Sequence, residues 1–143
     1  MTNRSRTLEL ASDLRLAVGR MARRLRQHSH DGLTPSQRSA LATLERQGPL
    51  RVGELAVIEN VTAPSISGIV SRLEEKGMVT RSPNPRDARS TVVMPTRRAL
   101  TVLDNTRSER TAFLAARLDA LDSSDRELLA AAAALLERMA TEE

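Results

Sequence analysis

The stretch from Val52 to Gly77 constrains this chain more than any other. Small and apolar residues recur there at Leu55, Ala56, Val61, Ile66, Ile69, Val70 and Leu73. Two short helices that cross steeply need a small residue at their contact, and Ala56 supplies it. The turn between them needs a residue that tolerates positive φ, and Asn60 is among the few non-glycines that do. The second helix then needs an inner apolar face. Ile66, Ile69, Val70 and Leu73 provide one at i, i+3, i+4 and i+7. Thr62 is placed as its N-cap and Gly77 as the left-handed stop after Glu75-Lys76. The pattern predicts a helix-turn-helix.

The other side of the second helix carries small and hydroxylic residues. Thr62, Pro64, Ser65, Ser67, Gly68 and Ser71, with Arg72 at the margin, are the candidate DNA contacts. Such side chains enter a major groove without clashing and can bond to base edges or phosphates. So many exposed Ser and Gly otherwise weaken a helix.

Two β-branched segments follow, Met78 to Arg81 and Ser90 to Met94, and they read as short strands. The loop between them, Ser82 to Arg89, holds two prolines and the run Arg86-Asp87-Ala88-Arg89. A hairpin beside a recognition helix is a wing, whose arginines suit the narrow, electronegative minor groove. Arg81, Arg86, Asp87 and Arg89 are the candidate contacts here. Asp87 is expected to fix a neighbouring guanidinium by a charge-assisted hydrogen bond.

The flanks read as helices. Ala11, Leu14, Val18, Met21 and Leu25 form a stripe of coiled-coil spacing that breaks at His28–Gly32. Thr34-Pro35-Ser36-Gln37 opens the next helix with a capping box, Leu41 and Leu44 form its buried face, and Gln47-Gly48-Pro49 ends it. A helix from Thr96 to about Asp119 precedes a last one expected to start at a Ser124–Glu127 capping box. The inner face of that last helix is Leu128, Ala132, Leu135 and Met139, within a run of five alanines that permits close helix approach. With Leu14, Val18 and Met21, these are the candidate dimerisation residues. A two-fold dimer sets two recognition helices roughly 34 Å apart, one DNA turn, and selects a pseudo-palindrome.

The run Leu73-Glu74-Glu75-Lys76-Gly77-Met78-Val79, then Arg81, Asp87-Ala88-Arg89 and Thr96, resembles the MarR family of bacterial transcription regulators. The resemblance is strongest over residues 34–98. It implies a mainly α fold with a small β-hairpin wing. A winged helix-turn-helix lobe at 34–96 would be flanked by dimerisation helices at 7–30 and 97–142, all in one domain spanning 1–143. It places the recognition helix on Thr62 to Lys76 and the wing's paired Asp and Arg on Asp87 and Arg89, with Arg89 entering the minor groove. Pro95 stands where the family usually has Leu, and Ala99 where it often has Gly. The resemblance also implies a small anionic or aromatic effector that releases DNA.

Composition narrows the alternatives. No cysteine is present, which excludes disulfides, thiolate metal sites and thiol redox sensing. Phe113 is the sole aromatic of the Phe, Tyr and Trp class, so the core must be aliphatic. Seven arginines crowd residues 1–26 and five lie in 81–98, whereas 119–143 carries seven acids. Of 22 basic residues only Lys76 is a lysine. Arg20, Arg23 and Arg24 are candidates to attract an anionic effector, and are equally explained as solvated residues or phosphate contacts.

No catalytic motif, phosphate loop or cofactor signature occurs, so the chain is not expected to be an enzyme. His28 and His30 could ligate a metal only if a loop made them converge; they read instead as helix C-terminal residues, favoured by the macrodipole when protonated. No metal and no cofactor are expected. No apolar run spans a bilayer and no signal peptide is visible, so a cytoplasmic protein is expected. The leading expectation is a dimeric repressor of double-stranded DNA relieved by an effector. The alternatives are a DNA-binding regulator without an effector and a winged-helix scaffold for protein contacts.

Overall fold

The computed structural model describes residues Asn3–Glu142, which form a single hairpin and six helices. They are α1 (Asn3–His28), α2 (Pro35–Gln47), α3 (Val52–Ile58), α4 (Ala63–Glu75), α5 (Arg97–Asp119) and α6 (Ser123–Thr141). The strands β1 (Val79–Asn84) and β2 (Asp87–Pro95) lie between α4 and α5. The chain divides into two units. Ser29–Ser108 forms a lobe, and α1, the chain from Glu109 onward and α6 form the other.

The lobe is built on aliphatic contacts. Leu41 and Leu44 of α2, Leu55 and Ala56 of α3, and Ile66, Val70 and Leu73 of α4 are buried together with Val79, Val93, Ala99 and Leu103. Each such Val, Leu or Ile stabilises the fold by about 1.5–3 kcal/mol on full burial, so no aromatic is needed. Thr34 caps α2 as the sequence predicts: its Oγ1 accepts the Gln37 N–H at 3.2 Å, and Gln37 Oε1 accepts the Thr34 N–H at 3.1 Å. Gly48, with φ of 83°, ends that helix. Leu50 then exchanges two backbone hydrogen bonds with Val93, adding a one-residue rung to the hairpin.

Two expectations are corrected at the ends of elements. The cap of α6 is Asp122, whose carboxylate accepts the Asp125 N–H at 2.8 Å, not Ser124: the preceding turn brings Asp122 to the cap position, two residues earlier than expected. The strands extend past the expected Arg81 and Ser90 to Asn84 and Asp87, leaving only Pro85-Arg86 as the turn. Pro83 sits within β1 because a two-stranded hairpin offers edge positions where no N–H is required.

The other unit has no closed core of its own. Neither α1 nor α6 buries a residue among those described. Leu14, Val18 and Met21 on α1 are exposed by 37%, 50% and 42%, and Leu128, Leu135 and Met139 on α6 by 67%, 48% and 61%. Ala132 is half-buried.

Candidate nucleic-acid interface

The turn between α3 and α4 is closed by Asn60. Its φ of 53° makes it the only non-glycine with positive φ among the described residues. It lets the Asn60 N–H reach Val57 O and the Val61 N–H reach Ala56 O, both at 3.1 Å. Ala56 is buried at the crossing of the two helices. Thr62 Oγ1 then accepts the Ser65 N–H at 3.3 Å and donates to Ser65 Oγ at 2.9 Å, which starts α4. Gly77, with φ of 70°, ends it.

The two faces of α4 differ sharply. Ile66, Val70 and Leu73 point into the core, with Ile69 half-buried. Thr62, Pro64, Ser65, Ser67, Gly68, Ser71 and Arg72 are all exposed. Pro64, Ser65, Gly68 and Arg72 line one side of a groove of about 620 Å³, whose other wall is Thr34, Ser36 and Gln37 of α2. Both helices therefore begin beside that groove, where the positive end of a helix dipole favours anions. Thr34 and Ser36 were read from sequence only as a helix start. The signal for more was a polar first turn, but nothing local tells which surface it faces.

The wing is stiffened by side chains acting on its own backbone. Asn84 Oδ1 accepts the Arg86 N–H at 3.0 Å, and Asn84 Nδ2 donates to Ser90 Oγ at 3.0 Å. Asp87 Oδ1 accepts the Arg89 N–H at 3.1 Å. These are Asx turns, with a carboxamide or carboxylate catching the amide two residues on. The guanidinium contact expected of Asp87 is thus corrected: its carboxylate fixes the main chain of Arg89 instead. The guanidiniums of Arg86 and Arg89 are exposed and have no salt bridge among the described residues. Arg81, at the wing's base, is different: its Nε donates to Glu74 Oε2 at 3.1 Å, pairing it with the end of α4.

A cleft of about 540 Å³ lies beside the wing's turn, lined by Arg51, Glu54, Asn84 and Arg86 among others. Arg51, another cation sequence reasoning passed over, donates to Glu54 Oε1 at 2.7 Å, and that hydrogen bond holds the Glu54 carboxyl below its usual range.

The histidines sit elsewhere. His28 closes α1 and stacks on Phe113 at 4.4 Å, while the Arg117 guanidinium lies 3.6 Å from the same ring's centre. Arg24, Gln27, His28 and Phe113 border a depression of about 220 Å³. Arg20, Arg23 and Arg24 are exposed on α1. No cluster of three His, Asp or Glu able to hold a metal occurs among the described residues. No helix among them is long and apolar enough to cross a membrane.

Comparison with known proteins agrees with this architecture. The MarR family model matches residues 33–91, the helix-turn-helix and most of the wing. An uncharacterised HTH-type transcriptional regulator of Mycobacterium bovis is 38% identical over 128 residues, covering 89% of this chain and 90% of its own. The HTH-type transcriptional repressor MdtR of Bacillus subtilis is 29% identical over 86 residues, 57% of this chain and 56% of its own. Among solved structures, a Pseudomonas aeruginosa protein assigned as a transcriptional regulator superposes with a TM-score of 0.86 at 33% identity, covering all of both chains. The chain belongs to the MarR family and is a DNA-binding transcriptional regulator of the winged helix-turn-helix type, not an enzyme.

Proposed function

We propose that the protein is a homodimeric repressor that reads a pseudo-palindromic operator in double-stranded DNA. In this reading α4 enters the major groove, presenting Thr62, Pro64, Ser65, Ser67, Gly68, Ser71 and Arg72. The wing follows the backbone into the adjacent minor groove, with Arg89 inserted, Arg86 on a flanking phosphate and Arg81 held back at the wing's base by Glu74. Asp87 takes part indirectly, by holding the Arg89 backbone.

The observation that carries the reading is the pairing of two surfaces. One helix face carries small and hydroxylic side chains with a single arginine, Arg72, and the hairpin carries Arg86 and Arg89 without salt-bridge partners among the described residues. The exposed apolar stripes on α1 and α6 supply the surface for a second copy through Leu14, Val18, Met21, Leu128, Ala132, Leu135 and Met139. Repression draws support from the similarity to MdtR, whose name records that activity. A flat anionic effector is the ligand suited to the depression of Arg24, His28 and Phe113, where the Phe113 ring already lies against a tilted imidazole and under a guanidinium.

The test is fluorescence anisotropy with the DNA upstream of the protein's own coding region, across a salt series, with Arg89→Ala and a scrambled competitor. Saturable binding that resists the competitor, weakens steeply with salt and falls in the variant is the expected result. A folded dimer that selects no duplex, even from a random library, would remove DNA recognition and leave the winged helix as a protein-contact module. Release of the bound duplex by an aromatic acid separates an effector-controlled regulator from one acting by occupancy alone.

A further inference from the structure

The chain has a single lysine. Lys76 is the C-cap of α4. Its Nζ donates to Gly32 O at 2.6 Å and to Gln37 Oε1 at 3.0 Å. Both acceptors are held in place. Gln37 is buried, and the same Oε1 accepts the Thr34 N–H of the α2 capping box. Gly32 adjoins Asp31, whose carboxylate is gripped by Arg38 and by Thr106. One ammonium therefore ties the end of the recognition helix to the first turn of α2.

We infer that Lys76 is a positioning residue for DNA recognition, setting the tilt at which α4 presents its outer face. This rests on the DNA-binding reading above. Rotation of α4 about its axis is fixed by Ile66, Val70 and Leu73, which face the core. Aliphatic contacts are non-directional, so they leave small displacements of the helix end weakly opposed. A charged donor held between two fixed oxygens is directional and short, and it acts at the end of the lever. Two of the three Nζ protons are engaged within the protein, so Lys76 is not organised as a phosphate contact. Displacing the helix end re-aims Ser67 and Ser71, and hydrogen bonds to bases weaken steeply with misalignment.

The experiment compares Lys76→Met and Lys76→Arg with the wild type on two duplexes across a salt series. One duplex is recovered by the wild type from a random library, and the other is its scramble. In Lys76→Met, affinity for the selected duplex falls about tenfold, the scale of a lost charge-assisted hydrogen bond. Affinity for the scramble changes by less than about twofold and the salt slope is unchanged, because no phosphate contact is lost. Lys76→Arg restores most of the discrimination. The Gly32 carbonyl carbon resonance moves in Lys76→Met and returns in Lys76→Arg.

Equal loss on both duplexes with a salt slope flatter by about one would make Lys76 a phosphate contact and overturn the inference. Unchanged discrimination in a folded Lys76→Met would overturn it too. A wild type that selects no duplex would overturn the DNA-binding reading itself, a result distinct from either.

Discussion

Asp31 and Thr106, 75 positions apart in the chain, are joined by a 2.9 Å hydrogen bond in which the threonine hydroxyl donates to the carboxylate. The same carboxylate receives Arg38 Nε at 3.0 Å, Arg38 Nη2 at 2.6 Å and the Leu33 N–H at 3.0 Å, and its side chain is only 5% exposed. Burial pushes the carboxyl upward. The hydrogen bonds from Arg38, Leu33 and Thr106 and the charge of Arg38 together outweigh it, holding the group below the ordinary aspartate value of 3.8. The linkage sign follows: a depressed folded pKa gives stability that is complete above the unfolded value and lost as pH falls through the folded one. Asp31→Ala takes this acceptor from four donor groups on Arg38, Leu33 and Thr106 and is expected to cost about 3 kcal/mol at neutral pH in urea unfolding. Asp31→Asn is expected to flatten the wild type's stability loss below pH 3.8. An Asp31→Ala protein as stable as the wild type would show that the knot contributes nothing.

Asn60 makes a second prediction about stability. Its φ of 53° lies in the left-handed region, where a β-branched side chain collides with its own backbone. Asn60→Val is expected to lose about 1–2 kcal/mol. Asn60→Gly should stay within about 0.5 kcal/mol, since relief of local strain offsets the greater freedom of the unfolded chain. Thermal unfolding of both variants checks this. Equal losses would mean that the side chain's contacts, not the backbone, matter at this turn.

That turn also shows what the sequence could and could not reveal. Asn60, Thr62 and Gly77 act through their own backbone or an amide within three residues, so local chemistry was enough to place them. The alternation of buried and exposed residues along α4 was legible for the same reason. Asp31, Gln37 and Lys76 were not read as partners, because their meeting depends on how α2, α4 and α5 pack and no local pattern encodes it. Arg81 illustrates the same limit at the candidate site. Its charge and place suggested DNA, whereas its ion pair with Glu74 needs the register of β1 against the end of α4. The Asp122 cap of α6 was missed for a different reason: Asp122, Ser123 and Ser124 are all competent caps, and only the geometry of the preceding turn selects among them.

The Arg81–Glu74 pair predicts a gain of function in DNA binding. Both partners are substantially exposed, so Glu74→Gln should change stability by less than about 1 kcal/mol. It removes an acid from the recognition helix and releases a guanidinium at the wing's base. Affinity for DNA of any sequence should rise, and the slope of log K against log salt should steepen by about one. Discrimination between selected and scrambled duplexes should narrow, because the added contact reads phosphate and not bases. A variant with unchanged salt slope would mean that Arg81 stays clear of the DNA.

The exposed stripes on α1 and α6 predict the assembly. Leu128, Leu135 and Met139 would leave large apolar areas in water on a single chain, at 67%, 48% and 61% exposure. Burial of such side chains stabilises by about 1.5–3 kcal/mol each. Sedimentation equilibrium of the wild type is therefore expected to give a dimer, with a thermal midpoint that rises with concentration. Ala132→Glu combined with Leu135→Glu should weaken association by at least about 100-fold, roughly 2.7 kcal/mol, and release monomers. Val57→Glu is the control: Val57 is 80% exposed on α3, in the lobe, and a charge there should leave the dimer intact. Monomers in both cases would point to a general effect of added acid. A dimer that survives the double substitution would place the interface on other residues, and the seven assigned here would have to be abandoned.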